Sequence, residues 1–200
     1  MATSSHDDTF YQSALQQLGI ATNGYLDRGG FGVVYRGRQQ GTMTALKMPL
    51  LPNPGLSVND QRAQYRDCLD HLKREHEAYV RLSAIRGVPF QSSLLQSSQL
   101  VLGFPLYVLT RPFIIGASLE DRRILSHDDF HYICTVIGNC HMAGVADLDI
   151  KRDNIIVSSR HRPVLIDFGK AVFREETRSR DEFDECRDRD FRTLRLISHC

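Results

Sequence analysis

Between Asp149 and Gly169 the chain reads DIKRDNIIVSSRHRPVLIDFG, and this stretch restricts the fold more than any other. Two apolar triplets, Ile155 to Val157 and Val164 to Ile166, flank a polar segment from Ser158 to Arg162, the pattern of a β-hairpin. Such a hairpin gathers Asp149, Lys151, Asn154 and Asp167 at its open end. Phosphoryl transfer needs the same kinds of group: a carboxylate to position an attacking hydroxyl, a cation for phosphate oxygens, and oxygen ligands for magnesium. The plainer alternative is a charged surface hairpin that happens to contain these residues.

At this point the chain resembles the protein kinase superfamily, whose catalytic loop and D-F-G motif have this composition and spacing. The D-F-G at 167–169 also sits between an apolar strand and a small-residue turn, as that motif requires. The resemblance implies that Asp149 acts as catalytic base, Lys151 neutralises the γ phosphate, and Asn154 and Asp167 hold magnesium. Upstream, LDRGGFGVV looks like the glycine-rich loop of that family and places Leu26, Gly29, Gly32 and Val34 against a nucleotide. Glycine there lets backbone N–H groups approach phosphate oxygens closely. Asp27 stands at the first glycine position and would hinder that approach or bring a carboxylate near the nucleotide. MTALKM resembles the third strand of the small lobe. There Lys47 would hold the α and β phosphates of ATP, Ala45 and Val34 would cover the adenine from above, and Ile156 would close it from below. Residues 60–84 are polar with Leu69, Leu72, Tyr79, Val80 and Leu82 at helical intervals. They resemble the C-helix, and Glu75 fits the Lys47 partner better than Glu77.

The remaining chain is read in the same frame. Residues 1–8 have the composition of a frayed terminus, and Phe10, Leu15 and Leu18 share one face of a short helix ending at Gly19. Residues 87–111 hold two apolar runs separated by a Gln/Ser-rich turn, completing a five-stranded small lobe, with a hinge over 109–116. Ser126 and Asp129 form a capping box for a helix that runs to His141. His127, His131 and His141 read as ordinary helix residues rather than zinc ligands. Two departures stand out. Asp147 replaces a histidine that normally packs under the D-F-G phenylalanine, so Phe168 loses that apolar support. Leu148 replaces the arginine that would pair with a phosphorylated activation loop, so switching by loop phosphorylation is not expected. The charge-dense run from 173 reads as a solvated loop, and Asp190 resembles the large-lobe aspartate that braces the catalytic loop. No A-P-E follows, so the peptide-docking segment is absent or drastically shortened.

With 42% hydrophobic and 24% charged residues the chain can build a sizeable core, and its net charge of +1 gives no field to attract nucleic acid or acidic membranes. Five scattered cysteines and no signal-like start point to a reducing intracellular setting, cytoplasmic or nuclear, and no run spans a bilayer. The expected fold is α+β and protein-kinase-like. Residues 1–23 form an extension, 24–111 a five-stranded antiparallel small lobe with its C-helix, and 112–200 a shortened, mainly helical large lobe. That large lobe would expose an apolar helix face unless a partner or a rearranged packing covers it. The expected activity is ATP- and magnesium-dependent transfer to Ser or Thr of a protein, with a small-molecule acceptor also open. The alternatives are a pseudokinase, that is a nucleotide-binding or scaffold module with little transfer, and a fragment of a longer kinase.

Overall fold

Strand alternation decides which way the first half of the chain faces. The computed structural model of the protein describes residues 5–89, 91–121, 124–157 and 162–198. In it, Ala21–Arg28 (β1), Gly32–Gln39 (β2), Thr42–Pro49 (β3), Ser93–Val101 (β4) and Phe104–Pro112 (β5) form one antiparallel sheet in the order β1-β2-β3-β5-β4. Val33, Tyr35, Leu46 and Met48 pack on one face with Tyr11, Ala14 and Leu15 of the helix Ser5–Gln17 (α1). Val34, Ala45 and Lys47 share the opposite face: Val34 pairs with Lys47 across the strands, and Ala45 lies two residues before Lys47. The hairpin between β2 and β3 turns at Gln40 (φ 49°) and Gly41 (φ 81°), both left-handed, as a tight two-residue connection demands. The fold is α+β.

Three sequence expectations change here. The N-terminal residues are not all frayed: α1 begins at Ser5, Asp7 and Asp8 occupy its first turn, and Asp8 accepts a hydrogen bond from the Tyr35 hydroxyl. Acidic groups favour that end because it carries the positive pole of the helix. The Gln/Ser-rich segment is no turn. It lies inside β4, and the reversal falls instead at Leu102 (φ 53°) and Gly103 (φ 88°). As an edge strand β4 tolerates polar residues along its length. The charge-dense run from 173 is mostly helix rather than loop, because Phe183, Cys186, Asp190 and Leu194 recur on one buried stripe of Arg180–Ser198. The apolar face expected to stand open on this helix is therefore largely covered, with Leu196 left exposed.

The chain divides into two units, Met1–Lys73 with Ser92–Phe113, and Arg74–Gln91 with Ile114–Cys200. A 24-residue helix, Val58–Arg81 (α2), contributes residues to both. Within the second unit His127–Met142 (α3) packs with Arg180–Ser198 (α4). Ala117–Ser118 (β6), Ile155–Val157 (β8) and Val164–Leu165 (β9) form one small sheet, and Val145–Ala146 (β7) pairs with Val172–Phe173 (β10). The β8–β9 pair is the expected hairpin; of its turn, residues 158–161 lie outside the described residues. Ser126 caps α3 as expected, its Oγ accepting from Asp129 N at 3.1 Å and donating to the Asp129 carboxylate at 2.8 Å. Among the described residues no helix is long and apolar enough to cross a membrane.

Two buried tyrosines of the first unit differ in one respect. Tyr11 donates its hydroxyl to the Pro49 carbonyl at 2.8 Å and accepts from Leu51 N at 2.9 Å. The Tyr65 hydroxyl, equally buried, has no partner among the described residues. Leaving a buried donor or acceptor unmatched costs about 1–3 kcal/mol, whereas deleting an unmatched hydroxyl removes such a cost. Tyr11→Phe should lower unfolding free energy by about 1–3 kcal/mol. Tyr65→Phe should leave it unchanged or raise it, both read by chemical denaturation.

Candidate functional site

In the first unit, the expected nucleotide-binding residues lie on β1 to β3. Leu26, at the bulge where β1 slips register between Tyr25 and Asp27, is 41% exposed, whereas Ala45 is buried and Val34 and Lys47 are half-buried. The Asp27 carboxylate accepts from its neighbour Arg28 N at 2.7 Å, and Gly29 N donates to Gly32 O at 2.9 Å, closing the loop on itself. The loop tip is held as well: Phe31 stacks on His71 with ring centroids 3.5 Å apart. The glycines have different reasons to be there. A Cβ on Gly32 would sit 2.7 Å from the Met48 carbonyl oxygen, so the sheet itself excludes a side chain. A Cβ on Gly30 would meet nothing within 4 Å, and on Gly29 only Gly32 O at 4.0 Å. Bareness at those two positions serves nothing inside this unit.

In the second unit, the hairpin does gather its polar groups. Ile166 N donates to Asn154 O at 2.9 Å, which sets Asn154 beside the strand end that carries Asp167. Asn154, buried to 5% exposure, turns its amide back on the loop and donates Nδ2 to the Asp149 carbonyl at 3.0 Å. The Asp149 carboxylate meets two ammonium groups, Lys170 on Oδ1 at 3.0 Å and Lys151 on Oδ2 at 3.4 Å. Lys170 escaped the sequence reading, although its place directly after the D-F-G was a usable signal. Ile156 is half-buried on β8 between Ile155 and Val157, which face the other way and are buried. Asp147 (φ 52°), Asp149 (φ 49°) and Asp167 (φ 64°) all adopt left-handed backbone. Such conformations cost about 1–3 kcal/mol each and cluster at functional sites.

The same unit resolves other expectations. Glu75 is fully buried, and Glu77 pairs at the surface with Arg81, so of the two carboxylates weighed Glu75 is the inward one. Phe168 keeps its support despite Asp147: it is fully buried with its ring edge-on to Tyr79 at 5.1 Å, and the Tyr79 hydroxyl accepts from Asp167 N at 3.1 Å. Asp147 itself turns away and pairs with Arg189 at 2.9 Å. The residues after Gly169 are tied to α2. Arg74 meets the Ala171 carbonyl at 2.9 Å and Glu176 at 2.6 Å, and Arg81 meets Glu175 at 2.5 Å with its guanidinium 4.0 Å above the Phe173 ring. Among the described residues no three His, Cys, Asp or Glu side chains gather to hold a metal ion. Asn154, Asp149 and Asp167 bring side-chain oxygens to this end of the hairpin.

Asp190 braces the loop, as its place in the sequence implied. Its Oδ1 accepts from Leu148 N at 2.9 Å and its Oδ2 meets His141 Nε2 at 2.9 Å, with both side chains almost wholly buried. His141 is thus no ordinary helix residue. Burial pushes the Asp190 carboxyl above the usual range, against the lowering effect of His141 and Leu148 N. Beside it, burial pushes the Cys140 thiol up to about 12, which removes it as a nucleophile. No model of a known protein family matches the chain, and no curated protein matches it in sequence.

A carboxyl whose folded pKa is raised binds its proton more tightly in the native state. Its contribution to stability is therefore full below the unfolded Asp value near 3.9 and is lost as pH rises through the raised value. Asp190→Asn, whose amide can accept from Leu148 N and donate to His141, should remove that slope from a stability-versus-pH profile. Asp190→Ala leaves both partners buried and unmatched, and should cost about 3–5 kcal/mol in denaturant unfolding.

Proposed function

We propose that the protein is a phosphotransferase of protein-kinase-like fold that moves the γ phosphoryl group of ATP, with magnesium, to an alcohol. The carrying observation is the hairpin mouth. Asn154 is bonded to Asp149 and set beside the strand end of Asp167, and both aspartates are held in strained backbone. Asp149 would orient the acceptor hydroxyl and take its proton. Lys151 would neutralise charge developing on the transferred group. With Asn154 Nδ2 committed to Asp149, its Oδ1 and the Asp167 carboxylate are hard oxygen donors suited to magnesium, which binds through few protein ligands plus phosphate oxygens. Magnesium there supplies electrostatic stabilisation of the phosphates. Lys47 and Glu75 take the nucleotide-anchoring roles that the resemblance implies. The bare positions Gly29 and Gly30 support the same reading, since a phosphate cradle is what would use the room a Cβ would fill. The acceptor by resemblance is Ser or Thr of a protein, with a small alcohol the second choice.

One observation favours a nucleotide-binding module with little transfer. Each carboxylate oxygen of Asp149 faces an ammonium, Lys151 at 3.4 Å and Lys170 at 3.0 Å, so an acceptor hydroxyl must fit beside or displace one of them to reach it.

The purified chain, incubated with labelled ATP, magnesium and generic protein or alcohol acceptors, should transfer phosphate. Asp149→Asn and Lys47→Met should each reduce the rate by roughly 10²-fold or more. Transfer unchanged in both variants would sink the assignment. Lys170→Ala separates the two readings: a gain in rate marks Lys170 as an occluding group, and nucleotide-dependent thermal stabilisation without turnover in either protein marks a binding module. In the glycine-rich loop, Gly29→Ala should leave stability within about 0.5 kcal/mol of the parent while weakening the thermal shift given by ATP. Gly32→Ala should destabilise the fold itself by about 1–3 kcal/mol.

A further inference from the structure

The second unit carries a cavity of about 530 Å³ lined by Arg174, Thr177, Ser179, Arg180, Phe183, Asp184 and Arg187. Three guanidinium groups face one carboxylate, a surplus of positive charge in a chain whose net charge is only +1. Three nearby acids are engaged outside the cavity. Glu175 and Glu176 pair with Arg81 and Arg74, and the Glu182 carboxylate accepts from Arg178 N at 2.7 Å. Asp184 is shared between Arg187 at 2.7 Å and Arg180 at 3.6 Å. Arg174 has no carboxylate partner among the described residues. It is held instead by donating to the His141 carbonyl at 3.1 Å and by lying 4.9 Å over the Phe183 ring, so its fork is preorganised. Ser179 Oγ accepts from Glu182 N at 3.2 Å, which leaves its O–H free to donate.

We infer that this cavity is a binding site for a phosphate monoester dianion, distinct from the hairpin mouth and independent of the proposed transfer activity. The chemistry selects that ligand. A planar fork held by a ring and a carbonyl, two further guanidinium groups in the lining, and a hydroxyl donor match the several acceptor oxygens and double charge of a phosphate. The first backbone N–H groups of α4 are not the recognition element, since Ser179 and the helix's own Asp181 and Glu182 already serve that end. The dianion arrives either as free phosphate or on a phosphorylated serine of a peptide.

The test uses the full chain labelled with ¹⁵N-arginine, titrated with inorganic phosphate, with the peptide Ala-Ala-pSer-Ala-Ala, and with its unphosphorylated form, at ionic strength matched by sodium chloride. The arginine Nε–H signals of the wild type that are lost in Arg174→Gln and Arg187→Gln should shift saturably, with a dissociation constant below ~1 mM. Phosphate alone, or the phosphopeptide more tightly, identifies the source. Arg180→Glu, whose side chain is 92% exposed and so removable without disturbing the fold, should weaken binding at least about tenfold at an unchanged melting midpoint in phosphate-free buffer. Shifts that do not saturate, that chloride reproduces, that the unphosphorylated peptide matches or that survive Arg180→Glu would overturn the site. Displacement of phosphate by a short single-stranded RNA at far lower concentration would overturn it in favour of a nucleic-acid surface.

Discussion

The second unit depends on one buried charge. Placing a carboxylate among α3, α4 and the loop after β7 carries a desolvation cost of several kcal/mol, and it is sustained only because each oxygen of Asp190 has a partner. The cost has a structural return. An apolar residue at 190 would pack as well but could not fix the Leu148 amide, and the Leu148 amide fixes the direction of the residues on either side of it. Asp147 and Asp149 flank that amide, and both are left-handed. Aspartate tolerates this conformation better than most residues, because its short side chain bonds locally. The buried carboxylate therefore makes a strained loop affordable, and the strained loop aims Asp149 at Lys151 and Lys170.

A second layer of constraint comes from arginines. Arg152 anchors the start of the hairpin by donating to the carbonyls of Ile197 at 2.7 Å and Leu119 at 3.0 Å, tying it to the last turn of α4. Arg189, one residue before the buried carboxylate, reaches Asp147 from the solvent side. The loop is thus gripped from within by residue 190 and from without by residue 189. Exposed ion pairs of this kind contribute little each, about 0–1 kcal/mol, so their value lies in geometry rather than in stability.

What was legible in the sequence follows the range of the signal. The hairpin at 155–166, the cap at Ser126 and the amphipathic α2 are local patterns of period two, period 3.6 or short motif, and each appears where its residues placed it. The misses are of two kinds. In β4 and α4 a partly solvated element carries so many polar or charged residues that the buried minority is hard to see; in α4 the stripe of Phe183, Cys186 and Leu194 is diluted by sixteen other positions. At Phe168 and His141 the partner lies far along the chain. Tyr79 stands 88 residues before Asp167, whose amide it receives, and His141 stands 49 residues before Asp190. No local pattern encodes such a pairing. Asp147 was visible as a carboxylate beside Leu148, yet neither its Arg189 partner nor the Tyr79 ring against Phe168 was.

Those compensations bear on how the segment after Asp167 keeps its shape. Where an arginine precedes a catalytic aspartate, an added phosphate can order the following segment by pairing with it. Here Leu148 precedes Asp149 and is buried, so that position offers no guanidinium for such a pairing. Order comes instead from charges fixed in the sequence: Arg74 and Arg81 hold Glu176 and Glu175, bracket the Phe173 ring and reach the Ala171 carbonyl. The Glu175 carboxyl lies below its usual range because its own backbone N–H and Arg81 both favour the ionised form. In the proposed reading, a charge that can exchange at the site is the Lys170 ammonium, 53% exposed and paired with Asp149 at 3.0 Å.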